Sequence, residues 1–294
     1  MTQKTIQYTT MNELHNEILK LCHKMELPLH FNTFGPKVFT NYQRVAIIIL
    51  FLRDGKPLRT FLNRLKEWRW PQWLGLREIP GRSTLNDWMK LFNLTSLREL
   101  NNRLLADEQP SIMAVDSTGL ENIKRSRHYE WRMHFSYSPH AKLDVFVDVE
   151  RMLIHDHVLR LKPRHDVLGA RTMLSRAQHK GALVFGDGAY DCEELHCRAR
   201  EKQLTLFAPV RKTSRAMPKG YYRRQCVNGH PLQGKRSLVE SAIRSLKVFR
   251  DSLRARKSMS KKKEQAWTIL AYNLERLSKI AQALLSHWLS MIPD

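Results

Sequence analysis

The sequence predicts an α/β fold, a mixed sheet flanked by helices and preceded by a helical region. Three observations carry this reading. Residues 10–108 place apolar side chains at helical spacing. From Ser111 onward, short apolar runs alternate with helical stretches. Their order, three strands, helix, strand, helix, strand, helix, is what a mixed sheet layered by helices produces. The 294 residues suffice for more than one core, and the texture divides them into 1–109, helical; 110–255, α/β; and 256–294, a long C-terminal helix.

In the first region, helices are expected over Met11 to Glu26, Asn41 to Asp54, Pro57 to Trp70 and Thr84 to Leu94, punctuated by Gly55, Pro57, Pro71, Pro80 and Gly81. Thr40 to Trp70 holds seven basic residues against two acids. The turn IPGRS leads into STLNDWMKLF, where Ser83 or Thr84 is placed to cap the helix and Asp87 stands three residues past Thr84. Helix, turn and capped helix in a basic setting suit a helix-turn-helix, with Arg82, Ser83 and Thr84 meeting DNA. A plain helical bundle has the same pattern. The cluster WRWPQW, Trp68 to Trp73, either anchors a small core or offers aromatic faces to unpaired bases.

In the second region, Ser111 to Asp116, Tyr129 to Tyr137 and Leu143 to Val149 read as strands, the last with Asp144 and Asp148 on a wetted face. Asp166 is a natural N-cap for a helix over Val167 to His179. Ala182 to Asp191 runs from an apolar strand through an acid into a turn. A helix over Cys192 to Lys202 and a strand over Leu204 to Val210 follow, and from Met259 a long amphipathic helix reaches Leu289. Its segment Ala266 to Leu289 suits either core packing or a dimer interface. No GxGxxG or GxxxxGK[ST] accompanies a strand, which leaves nucleotide-cofactor folds unsupported.

The formal net charge is +22, a field that attracts nucleic acid or an anionic membrane. Membrane is the weaker partner, because the longest apolar run, Val45 to Leu52, is far short of the roughly 20 residues that span a bilayer. The N-terminus lacks the apolar core of a secretory signal, and Cys22, Cys192, Cys197 and Cys226 are too irregular for a disulfide framework. A soluble, intracellular protein is expected. Cys192, His196, Cys197, Cys226 and His230 have no paired zinc-ligand spacing, so idle thiols are the default.

Asp116 follows the apolar run IMAV and Asp187 follows ALVFG, so on adjacent parallel strands the two acids would lie side by side although 71 residues apart in sequence. A helix packed across that end can bring Glu240. In KRSLVESAIRSLK, Arg236, Glu240, Arg244 and Lys247 share one face, while Val239, Ile243 and Leu246 share another. Glu240 is the first acid after a stretch from Lys202 to Val239 that holds nine Lys or Arg residues and no Asp or Glu. It reads either as a salt-bridged residue of a solvated face or as a metal ligand. Three clustered carboxylates repel one another unless divalent cations lie between them, and hard oxygen donors select Mg²⁺ or Mn²⁺, two ions in the arrangement that serves phosphodiester chemistry. Asp144, Asp148, Asp156 and Asp191, and the histidines 155, 157 and 165, read as wet-face or turn residues. Arg211, Lys212 and Lys235 bracket the acid-free basic loop as DNA-contact candidates.

AVDSTG, GDGAYD and the Arg-x3-Glu-x6-Lys helix, in this order, resemble the catalytic segments of DDE transposases from bacterial and archaeal insertion sequences. IPGRSTLNDW, the His165-Asp166 pair and AYNLERL near the end are also similar. The resemblance implies an RNase H-like catalytic fold, Asp116, Asp187 and Glu240 as ligands of Mg²⁺ or Mn²⁺, and Arg236 and Lys247 as holders of transposon-end phosphates. Gln233 stands where that family usually has Tyr. The 53 residues before Glu240 leave no room for the β-rich insertion of some relatives, so the basic loop from Arg211 to Lys235 is expected to take its DNA contacts. The expected activity is cleavage at element ends and transfer of the 3′-hydroxyl into target DNA by a homodimer on DNA. An RNase H-like nuclease that cuts without joining and a transposase-derived DNA-binding protein without chemistry are the rivals.

Overall fold

The computed structural model describes residues 3–31, 34–122, 132, 140–162, 164–211 and 217–290. The chain divides into two compact units, Met1–Leu105 with Lys263–Asp294, and Ala106–Lys262.

The first unit contains α1 (Gln3–Lys24), α2 (Asn41–Asp54), α3 (Leu58–Glu67), the single turn α4 (Trp70–Trp73), α5 (Arg82–Leu91), α6 (Leu94–Leu104) and the C-terminal helix Ser258–Ser290 from Lys263 on. In α2 every residue from Val45 to Leu52 is buried, as a helix that is apolar all round requires. Its N-terminus is closed by a reciprocal pair, Gln43 N to Thr40 Oγ1 at 3.2 Å and Thr40 N to Gln43 Oε1 at 2.8 Å, and Gly55 ends it at φ 65°.

The expected helix from Pro57 to Trp70 stops at Glu67 and resumes as α4. Pro71 has no N–H to offer the Glu67 carbonyl, so a continuous helix loses a bond at that point, whereas Pro in a first turn costs nothing. Trp70 is fully buried with Trp73 edge-on at 5.5 Å, which makes Trp70 a core anchor. The C-terminal helix buries Ala266, Trp267, Ile269, Leu270, Ala271, Tyr272 and Leu274, and Asn273 Nδ2 donates to Asn101 Oδ1 at 2.8 Å. Over residues 266–274, core packing is the reading realised.

Among the described residues the second unit forms a five-stranded sheet: β1 (Ile112–Glu121), β2 (His140–Asp148), β3 (Leu153–Arg160), β4 (Leu183–Phe185) and β5 (Thr205–Phe207), in the order β3-β2-β1-β4-β5. β1 pairs antiparallel with β2 and β2 with β3, whereas β1–β4 and β4–β5 are parallel. Helices α7 (Asp166–Arg176) and α8 (Glu193–Glu201) cover one face, where Met113, Val115, Phe146 and Val184 pack with Ala170, Met173 and Leu195. The short α9 (Tyr221–Gln225) follows, then a 3₁₀ turn (Gln233–Ser237) and α10 (Leu238–Phe249), which packs on β1. The mixed sheet flanked by helices is the class that the sequence predicts.

Several local expectations are corrected. The strand expected over Tyr129 to Tyr137 lies outside the described residues, apart from residue 132. His155, Asp156 and His157, read as turn residues, belong to β3, because the reversal comes earlier, at Met152 with φ 58°. The wetted face expected of β2 is dry: Asp144 and Asp148 are 0 % and 3 % exposed. Helix α7 covers that face, and Gly169 passes so close that a Cβ there would strike the Asp144 carboxylate. Asp166 sits inside the first turn of α7, with His165 at the N-cap. Gly81, extended after Pro80, holds the N-cap of α5, so Ser83 and Thr84 fall inside its first turn and the expected capping box is absent. Asp87 pairs with Lys90 at 2.9 Å instead.

Candidate metal centre and nucleic-acid surface

Ile112, Met113 and Ala114 of β1 pair in parallel with Leu183, Val184 and Phe185 of β4. Asp116 stands two residues past Ala114 and Asp187 two past Phe185, so both acids occupy the same level beyond the paired segment. Asp116 is not at a strand end, since β1 continues to Glu121 against β2 with Asp116 opposite Val145. Only β4 ends here, so beyond Ala114 that edge of β1 has no β4 partner. Asp187 caps the turn that follows, its Oδ1 accepting from Ala189 N at 2.7 Å.

Side chains alternate along a strand, so Asp116 faces away from Val115 and Ser117, on the side where α10 packs. Val239, Ala242, Ile243 and Leu246 form the buried stripe of α10, and Glu240 lies off that stripe, its side chain 60 % exposed. Arg236 belongs to the preceding 3₁₀ turn, yet its Nη2 lies 3.5 Å from Glu240 Oε1. Burial pushes the Asp116 carboxyl above its ordinary range; Ser117 N–H and Arg236 oppose that, and the charges of Asp187 and Glu240 push it further. The three acids therefore share one electrostatic neighbourhood. Among the described residues no group of three or more His, Cys, Asp or Glu side chains, these three acids included, stands close enough together to hold a metal ion. The three acids offer only carboxylate oxygens, the donor chemistry that a hard divalent cation takes.

A polar layer that sequence reading missed lies on the other face of β1. Ser117 N donates to Asp116 Oδ1 at 2.8 Å, and Ser117 Oγ donates to Asp166 Oδ1 at 2.7 Å. Lys142 Nζ is 2.5 Å from the same Asp166 oxygen. Burial works against the Asp166 charge, but these hydrogen bonds outweigh it and hold the group below the ordinary carboxylate range. Beside it, Arg160 Nη2 reaches both oxygens of Asp144 at 2.7 Å. Burial still leaves Asp144 raised to about 6 despite Arg160. The signal was present as a small polar residue directly after Asp116 and as charges alternating along β2.

The remaining candidates divide. Lys235 Nζ contacts Glu150 Oε1 at 3.1 Å, and Glu150 also accepts from Ser111 Oγ. Arg211 is tied to the Asp187 turn, its N donating to Asp191 Oδ2 at 3.0 Å and its Nε to Gly188 O at 2.5 Å. Arg244 is exposed and Lys247 half-buried on α10. Lys212 lies outside the described residues. Arg82, Ser83 and Thr84 open α5 in the helical unit. Among the described residues no helix is long and apolar enough to cross a membrane.

No curated protein matches the chain. Among solved structures it is similar to a piggyBac transposase synaptic complex with hairpin DNA, at 10 % identity and a TM-score of 0.47, over 93 % of this chain and 74 % of that one. The family model described as the transposase DDE domain matches residues 107–274, more than half of the chain. The chain belongs to the DDE transposase family.

Proposed function

We propose that the protein is a DNA transposase of a prokaryotic insertion sequence, which cleaves at the element's ends and joins the freed 3′-hydroxyl to target DNA. One observation carries the assignment of the site. The parallel register of β1 and β4 sets Asp116 and Asp187 level, beside the helix that carries Glu240. Asp116, Asp187 and Glu240 would hold two Mg²⁺ or Mn²⁺ ions, which when bound activate the attacking oxygen and offset charge on the leaving one.

The chain's own groups do the rest. Ser117 N–H fixes one oxygen of Asp116, and Ala189 N–H fixes one of Asp187, so each carboxylate keeps a second oxygen to bind with. Arg236 holds Glu240 in the absence of DNA and lies beside Asp116, where it can pass to a phosphate when Glu240 turns to other work. Arg211, Lys212, Lys235, Arg244 and Lys247 add cationic contacts to the backbone. Arg82, Ser83 and Thr84 present a helix start to DNA from the helical region 1–109. With 110–255 as the catalytic domain, chemistry rests on positioning and on charge matched to the phosphodiester. A homodimer on DNA would handle the two element ends together.

The test is incubation of the protein with labelled DNA carrying the native element end and a target plasmid, with Mg²⁺ or Mn²⁺ and with chelator. Nicked ends together with joined products support transposition. Nicking without joined products selects the nuclease reading, and tight binding without either product selects a DNA-binding descendant.

A further inference from the structure

The loop between β5 and α10 carries a feature that none of the groups above accounts for. Helix α9 is pinned on one side by a set of contacts that fix its orientation. Asp191 accepts from Arg223 at both nitrogens of a fork, Nε at 2.6 Å and Nη2 at 2.7 Å, and its side chain is 1 % exposed. Glu193 accepts from the backbone N–H groups of Tyr222 and Arg223, each at 3.1 Å. Tyr222 stacks on His196 at 14°, and the Arg200 guanidinium lies 5.6 Å from its ring centre. Gly220, at φ 106°, closes the approach, and a Cβ there would run into the Glu193 carboxylate.

The opposite side of α9 faces solvent. Tyr221 is 69 % exposed, and Arg224, one turn on, is exposed too, with Nε donating to Pro218 O at 3.2 Å. Met217, Val227 and Leu232, nearby in sequence, are exposed too. Exposed apolar side chains on and beside a helix so firmly anchored suit a contact site. Its partner follows from charge: the loop lies in the stretch from Lys202 to Val239, which has nine Lys or Arg residues and no acid, so a polyanion fits and an acid-free copy of the same surface does not.

We propose that the outward face of α9, centred on Tyr221 and Arg224, is a DNA-contact surface, with Arg224 on a phosphate and Tyr221 against a sugar or base, and that Asp191 and Glu193 are its positioning residues. This inference rests on the DNA-binding half of the function proposed above. Asp191 and Glu193 lie four and six residues past Asp187, so one short segment carries both a candidate metal ligand and the anchors of the surface. Anchoring α9 before DNA arrives lowers the entropic cost of the contact.

The experiment is fluorescence anisotropy with a labelled DNA duplex of mixed sequence, titrated over a range of salt, using the full chain. Tyr221→Ser and Arg224→Ala, both at exposed positions, are each expected to weaken binding roughly fivefold to tenfold. Arg224→Ala is also expected to lower the slope of log affinity against log salt by about 1. Asp191→Arg and Arg223→Asp are expected to weaken binding singly, and their combination to restore most of it by re-forming the pair in reverse. Wild-type affinity and slope in both Tyr221→Ser and Arg224→Ala would overturn the proposal, as would single Asp191 or Arg223 variants that bind like wild type. A fall in self-association in sedimentation, with DNA binding unchanged, would also overturn it in favour of a second copy as partner. Binding that depends on Tyr221 and Arg224 without any cleavage would leave this surface standing and sink the catalytic reading instead.

Discussion

Replacing Glu240 by Gln separates the two roles open to this residue, because they predict effects of very different size. The side chain is 60 % exposed and its Arg236 partner 27 %, with 3.5 Å between them. An exposed i,i+4 pair is worth about 0.3–0.5 kcal/mol. Loss of the pair should therefore move the melting temperature by only about 1–2 °C in a unit of this size. The same change removes a charge that hinders ionisation of Asp116, so it adds no electrostatic cost there. DNA affinity should hold or rise slightly, since an acid has left a basic surface. If Glu240 is a metal ligand, nicking at the element end should fall a thousandfold or more, about 4 kcal/mol of barrier. The assay is single-turnover nicking of end-labelled DNA with Mg²⁺, run beside a melt and a binding titration on the same preparation. A nicking rate within threefold of wild type would refute the ligand role and leave Glu240 as a salt-bridge residue.

Other outcomes follow from the polar groups in the sheet unit. Arg160→Met leaves Asp144 buried without its guanidinium and should cost about 3–5 kcal/mol in urea unfolding, while adding Asp144→Leu should recover most of that; a single variant as stable as wild type would show the pair to be dispensable. His155, 6 % exposed and edge-on to His179, has its pKa lowered to about 3 by burial and then by His179. A depressed folded pKa means that its contribution is intact above the unfolded value near 6.5 and is lost as pH falls from there toward 3. Between pH 7.5 and 5.5 the loss should be about 1.4 kcal/mol, and His155→Gln should flatten that slope in melts at the two pH values. Glu150→Gln frees Lys235 from an exposed pair, so it should change stability by under about 0.5 kcal/mol and tighten DNA binding modestly; weaker binding would contradict a phosphate-contact role for Lys235.

The sequence by itself determined what local physics controls. Alternation and helical spacing gave the class of fold. The fully apolar stretch Val45 to Leu52 announced a buried helix, and the punctuation at Gly55 announced its end. The buried stripe of α10 was legible from Val239, Ile243 and Leu246, and with it the outward position of Glu240. The three acids stood out because each breaks its local pattern, two after apolar runs and one in a basic tract.

Tertiary structure decided what depends on partners far away in the chain. That β1 runs on past Asp116 depends on β2, which supplies a pairing edge where β4 has already left. Asp144 and Asp148 alternate as wet-face residues do, yet both are buried: Gly169 of α7 passes over Asp144, whose charge is met by Arg160 on the next strand. The link from Ser117 to Asp166 spans 49 residues and the fork from Asp191 to Arg223 spans 32. No periodicity encodes such pairs, because a charge buried at one position selects its partner by proximity in space, and proximity in space is what the packed sheet alone creates.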